Sequence, residues 1–223
     1  MIHRPDARKH DRTAEASKWG LLALEKGTTS MADNKVRYGL RNLHIAFRDP
    51  ESSDASPAWD APIAIPGVVG FKPTAVGDVS TFYADDGPYF VVTANNGYTA
   101  DLETALIPDE VIADMLNWTL DDNGALIEDS DAIPAPFAMM FEVQGDQKNR
   151  RTVYYECTAA RPAREEKTRE AAITPGTDVV ALTIIPMSIG DRMTPKASLE
   201  LSDSNTAAYE AFFDDVYVEV SGS

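Results

Sequence analysis

The apolar positions of this chain fall in short runs of strand length separated by turn-forming residues, and one stretch repeats convincingly at helical spacing. Leu40, Leu43, Ile45 and Phe47 alternate in part and predict a first strand within 36–47. Two prolines, three serines and four acids mark 49–61 as a loop, whose Trp59 needs a surface to bury against. Ile63, Ile65, Val68 and Val69 predict a second strand over 62–71, interrupted at Pro66-Gly67. Two turn signals, Asp85-Asp86-Gly87-Pro88 and Asn95-Asn96-Gly97, then divide the chain into runs at 82–84, 89–94 and 98–106. Asp-Gly and Asn-Gly favour tight hairpins because those turns need positive φ, so this stretch predicts a three-stranded antiparallel meander.

The helical stretch is 108–117. Val111, Ile112, Met115 and Leu116 form one stripe, Pro108 suits a first turn, and Asp109 and Glu110 suit the positive end of the dipole. A turn at 121–124 follows. Further strands are expected at 125–128, 136–143, 150–160, 178–186, 197–201 and 213–220, with a hairpin at 145–149, a charged loop or exposed strand at 161–171 and a helical turn at 209–212. About ten short strands with one helix predict a mainly β fold, an antiparallel β-sandwich or barrel with one flanking helix and extended loops or arms.

Residues 1–30 read differently. They are polar and charged at first and hold His3 and His10; 13–26 suits a short helix, and no apolar core of secretory type follows the basic start. Met31 opens a new polar start, so 1–30 is expected to be a leader upstream of the true first residue, or an arm that orders on assembly. Residues 31–223 then form a single β domain.

Composition narrows the function. No apolar run approaches the roughly 18 residues of a membrane span, so no membrane partner is expected. The single cysteine, Cys157, excludes an internal disulfide and reads as a small core residue. The net charge of −16 is unevenly spread: 49–147 holds 19 acids and one base, Lys72, whereas 148–169 holds seven bases and three acids. An acidic chain does not displace phosphate counterions, which argues against tight nucleic-acid binding. Opposite poles on one molecule suit head-to-tail association between copies.

Candidate chemistry is sparse. His44 is the one histidine in the expected folded region, no nucleophile elbow accompanies it, and no phosphate-cradling glycine loop occurs. The acidic pairs Asp85/Asp86 and Asp121/Asp122 sit in turns, where aspartate is favoured for backbone reasons. An EF-hand centred on Gly124 would need carboxylates at Thr119 and Ser130 and so fails, although a looser divalent site in 121–131 stays open. Neither catalysis nor a cofactor is expected.

Several motifs, in order along the chain, carry a resemblance. They are Val36-Arg-Tyr-Gly-Leu-Arg-Asn42, Phe82-Tyr-Ala-Asp-Asp-Gly-Pro-Tyr89, Thr93-Ala-Asn-Asn-Gly-Tyr98 and Asp101-Leu-Glu-Thr-Ala-Leu-Ile-Pro108. The run at 137–148, Val153-Tyr-Tyr-Glu-Cys-Thr-Ala159 with Arg161-Pro162, and 180–186 continue it. Over roughly 33–190 the chain resembles the major tail proteins of long-tailed, non-contractile bacteriophages. That resemblance implies a structural virion protein, made in the host bacterial cytoplasm, whose hexameric rings stack into a tail tube. It implies a tape-measure protein inside, tail terminator and distal tail proteins at the ends, and DNA passing through without specific binding.

On that reading the basic residues Lys148, Arg150, Arg151, Arg164, Lys167 and Arg169 would contact a neighbouring subunit. Asp85, Asp86, Asp101 and Glu103 would line the channel or meet the basic segment. The alternative is a β-sandwich adhesion module binding carbohydrate or protein, with Trp59, Tyr83, Tyr89 and Tyr98 as its face.

Overall fold

The structure is a computed structural model of the chain in which residues 38–53, 56–145, 149–164 and 176–219 are described. They belong to a compact unit spanning 34–223. The expected helix at 13–26, the start at Met31, most of the loop at 161–171 and part of the 145–149 hairpin lie outside the described residues.

The chain runs through β1 (Leu40–Phe47), β2 (Ile63–Ala64), β3 (Val68–Ala75), β4 (Val79–Ala84), β5 (Gly87–Thr93) and β6 (Tyr98–Thr104). The helix Asp109–Leu116 follows, then β7 (Thr119–Leu120), β8 (Leu126–Ile127), β9 (Phe137–Val143), β10 (Arg151–Ala159) and β11 (Ala163–Arg164). Strands β12 (Asp178–Ile185), β13 (Met187–Ile189), β14 (Arg192–Thr194) and β15 (Lys196–Leu199) precede a closing helical turn, Thr206–Glu210, that tightens over Ala211–Phe213.

The fold is mainly β and antiparallel. The main sheet has the order β2-β1-β9-β10-β12-β6-β3, with β11 added to β12 and β15 to β10. Only Ile65-Pro66-Gly67 separates β2 from β3, yet these lie at opposite ends of that order. Three residues reach about 10 Å, so the sheet has to roll up on itself and bring its ends together.

The roll encloses the larger core, in which Leu43, Ile45, Leu102, Phe137, Met139, Tyr154, Cys157, Val180, Leu182 and Ile184 meet Val111, Ile112, Met115 and Leu116 of the helix. Buried Asp178 accepts the Ile107 N–H at 3.2 Å and so anchors the approach to the helix. Asn117, at φ 54, closes the helix with its N–H on the Ala113 carbonyl.

A second core lies on the other face of β9 and β10. Ala138, Met140, Val153 and Tyr155 are covered there by Met187, Ile189 and Phe212, with Trp59, Phe213 and Tyr217 packed against them. Because β9 is covered on both faces, Phe137–Phe141 is buried without alternation, as the apolar run at 136–143 suggests.

Two bulges explain irregular spacings. In β1 the register slips between Arg41 and His44, and Asn42 takes φ 53. The extra residue puts Leu40 on the same side as Leu43, Ile45 and Phe47, all of which join one core. In β10 the slip between Tyr154 and Cys157 likewise returns both to the larger core.

Two expectations need correction, and one hairpin has no counterpart among them. The strand at 98–106 does not complete a meander: β6 pairs with β3 and β12, while β4 and β5, among the described residues, pair only with each other. The expected strand at 213–220 is not one among the described residues; Tyr209, Phe212, Phe213, Val216 and Tyr217 recur at spacings of three and four, and the segment lies on the second core as turns. The hairpin of β13 and β14, turning at Gly190-Asp191, was not foreseen. By contrast, the helix stands where 108–117 predicts it, and β7 and β8 flank the turn at 121–124.

Candidate assembly surface

Strands β3, β4, β5 and β6 form one long ribbon. Pairing runs through Ala75 opposite Tyr98, continues in the bonds Val76 N–H to Gly97 O, Asn96 N–H to Val76 O and Ala94 N–H to Asp78 O, and resumes with Val79 opposite Thr93. Two glycines mark the passage between its halves. A Cβ on Gly77 would lie 2.0 Å from the Ala94 carbonyl oxygen, and one on Gly97, which has φ 98, would lie 2.0 Å from that of Ile184. Gly97 is therefore a point of close backbone approach to β12, not the tip of a hairpin.

Beyond these glycines β4 and β5 form a two-stranded arm. It turns at Asp85 and Asp86, both with positive φ, as a tight two-residue hairpin requires. Its apolar side chains are exposed on both faces: Phe82 is 62% exposed, Tyr83 68%, Tyr89 73% and Phe90 59%, and Val79, Val91 and Val92 are open as well. An isolated two-stranded hairpin is at best marginally stable in water, and among the described residues neither edge of this one has a partner strand. Such an arm gains most by covering itself with another surface.

The four acidic candidates fall in two places. Asp85 and Asp86 cap the arm. Asp101 and Glu103 lie on β6 facing away from the buried Ala100, Leu102 and Thr104; Asp101 stands opposite Lys72, and Glu103 accepts the Thr177 hydroxyl at 2.7 Å.

The described basic candidates are each tied to a different acid. Arg150 pairs with Glu200. Arg151 turns inward, 3.4 Å from Glu142, donating to the Tyr209 carbonyl and lying over the Tyr209 ring at 3.8 Å. Arg164 bridges Asp109 and Asp178 at 3.5 Å each. Lys148, Lys167 and Arg169 lie outside the described residues.

Reading by composition missed what Arg151 serves. Glu142, buried in β9, accepts from Arg41 at 2.5 Å and from the Asn42 amide at 3.3 Å, with Arg151 beside it. A buried carboxylate needs such partners, so this cluster ties β1, β9 and β10 to the C-terminal helical turn. The sequence signal, a glutamate inside the apolar run at 137–143, was present.

The remaining candidates have structural settings. His44 stacks on Phe213 with centroids 4.8 Å apart. Burial pushes the Cys157 thiol far above its ordinary range, so it is held as the neutral thiol. The Asp121 carboxylate accepts N–H bonds from Ala125 and Asn123, which hold its carboxyl below the usual range and close the 121–125 turn on itself. No group of three metal-ligating side chains occurs among the described residues. The four aromatics of the adhesion reading do not share a face: Trp59 packs on Tyr155, Tyr98 on Tyr154, and Tyr83 and Tyr89 stand on the arm.

No protein-family model matches the chain, and no curated protein matches it significantly. Among solved structures it is similar to the cap that terminates the tube of the anti-feeding prophage, with a TM-score of 0.44 and 8% identity over 78% of this chain and 99% of that one. It is also similar to a chain of the sheath–tube complex of an extracellular contractile injection system in its extended state, with a TM-score of 0.41 and 11% identity over 78% and 100%. A chain of the anti-feeding prophage baseplate gives a TM-score of 0.40 and 9% identity over 74% and 95%. At these identities and TM-scores none of the three assigns a role to this chain.

Proposed function

We propose that this chain is a structural subunit of a phage tail, without catalytic activity, that polymerises into a tube of stacked hexameric rings through which DNA passes. The observation that carries the reading is the arm of β4 and β5, apolar on both faces and open at both edges. Among the described residues nothing covers the arm, and a second copy supplies a surface at every step of a polymer. The ordered motifs of the tail-protein resemblance span this arm and the strands around it. The acidic excess of the chain suits a bore that repels phosphate, with Asp101 and Glu103 as candidates for its wall.

Negative-stain electron microscopy of the full chain over a concentration series, and of the virion, tests the proposal. Rings or tubes of uniform diameter with sixfold end views are expected. A dispersed monomer at every concentration, together with a virion tail lacking this chain, overturns it.

A further inference from the structure

Strand β10 changes partner along its length. Residues Arg151–Tyr154 pair with β15, and residues Glu156–Ala159 pair with β12. Beside the half paired with β15, a cavity of about 580 Å³ opens between β10, β15, β3, β9 and the start of β1. Phe71, Phe141 and Tyr154 form its floor; their rings lie 5.4 to 6.2 Å apart. Lys196 stands over that floor, its Nζ 4.9 Å from the Tyr98 ring and 5.7 Å from that of Tyr154. Lys196 is exposed and has no carboxylate partner among the described residues. Arg150, paired with Glu200, also lines the cavity, and none of its described lining residues is acidic, in a chain of net charge −16.

The arm has the opposite character. From 73 to 117 there is no basic residue, and the tip carries Asp85 and Asp86 beside Phe82, Tyr83, Tyr89 and Phe90. We propose that the cavity of β3, β10 and β15 receives the β4–β5 tip of a second copy of this chain, aspartates towards Lys196 and an aromatic ring on the Phe71–Tyr154 floor. The cavity lies within the range of about 300–1,000 Å³ that suits small ligands, and a two-residue turn with one flanking ring is an object of that size. Tip and cavity are different surfaces, so the contact is heterologous and propagates from copy to copy. This inference rests on the polymerising reading and names its donor and acceptor.

A charge exchange in the full chain tests it. One variant carries Lys196→Glu; the other carries Asp85→Asn and Asp86→Asn with Gly87→Lys, since asparagine tolerates positive φ and a side chain on Gly87 meets nothing. Circular dichroism checks that both fold, and sedimentation reads association. Each variant alone is expected to need at least about tenfold more protein to associate, a loss of one buried charge contact. Mixed in equal amounts they should associate like the wild type, because each tip then meets an opposite charge. As a direct probe, Gly87→Cys combined with Ser198→Cys should give a ladder of disulfide-linked oligomers, whereas Asp129→Cys in place of Gly87→Cys should not. Failure of the mixture to recover, or an absent ladder, overturns the proposal. Tubes that form regardless of these charges leave the tail-tube reading standing without this contact; charge-dependent chains that are not tubes do the reverse.

Discussion

Replacing Phe82 and Phe90 by serine separates assembly from folding. The two rings are cross-strand partners in the arm and belong to neither core. A phenylalanine has about 150–250 Å² to bury. With 62% and 59% of these residues exposed, each ring holds about 120 Å² in reserve, or about 3 kcal/mol at about 25 cal/mol per Å². Association returns only part of such area, because ordering and imperfect desolvation oppose it, so about 3 kcal/mol for the pair is a reasonable expectation. That corresponds to a contact weaker by about 100-fold. Within the subunit, only the cross-strand pair is lost, worth roughly 0.2–1 kcal/mol. The doubly substituted chain should therefore melt within about 4 °C of the wild type while its critical concentration for pelletable polymer rises by two orders of magnitude. Polymer at the wild-type concentration would refute the role of the arm. A much larger fall in melting temperature would show that the rings support the fold instead.

Other outcomes follow from the interior. Arg151→Ala leaves Glu142 with Arg41 and Asn42 and removes a cation from the Tyr209 ring, so a loss of about 2–4 kcal/mol is expected in urea titrations. Arg192→Ala, which breaks an exposed pair with Glu219, should cost less than about 1 kcal/mol; equal losses would disprove the buried-cluster argument. Gly97→Ala drives a Cβ into the Ile184 carbonyl and should destabilise by about 3 kcal/mol or more, whereas Gly87→Ala meets nothing and should be near neutral by the same measurement. Burial, with Tyr98 and Cys157 nearby, pushes the Tyr154 phenol up to about 12. Folding favours its neutral form, so its contribution is intact below pH about 10 and is lost as pH rises towards 12. Tyr154→Phe should flatten that part of the stability profile between pH 9 and 11.5, and an unchanged slope would exclude Tyr154 as its source.

Local pattern determined much of this protein before any coordinates. The stripe of Val111, Ile112, Met115 and Leu116 specifies a helix with one buried face, and it forms where predicted. The runs at 136–143, 150–160 and 178–186 specify strands, because alternation and β-branched content act within a few residues. The scarcity of histidine and cysteine limited the chemistry for the same reason, since absent residues need no geometry to be discounted.

Tertiary structure decided what pairs with what. Asn95-Asn96-Gly97 looks like a hairpin turn locally, but Gly97 answers to Ile184, a residue 87 positions later, and that approach separates the arm from the rolled sheet. Arg150, Arg151 and Arg164 read as one basic pole along the chain, yet distant partners Glu200, Glu142 and Asp178 divide them. Lys196, an unremarkable residue in sequence, gains its setting only because β15 pairs with β10 beside three rings drawn from β3, β9 and β10. Turn and strand preferences are short-range energies. Register, partner choice and the joining of distant charges depend on closing the whole sheet, which no local window contains.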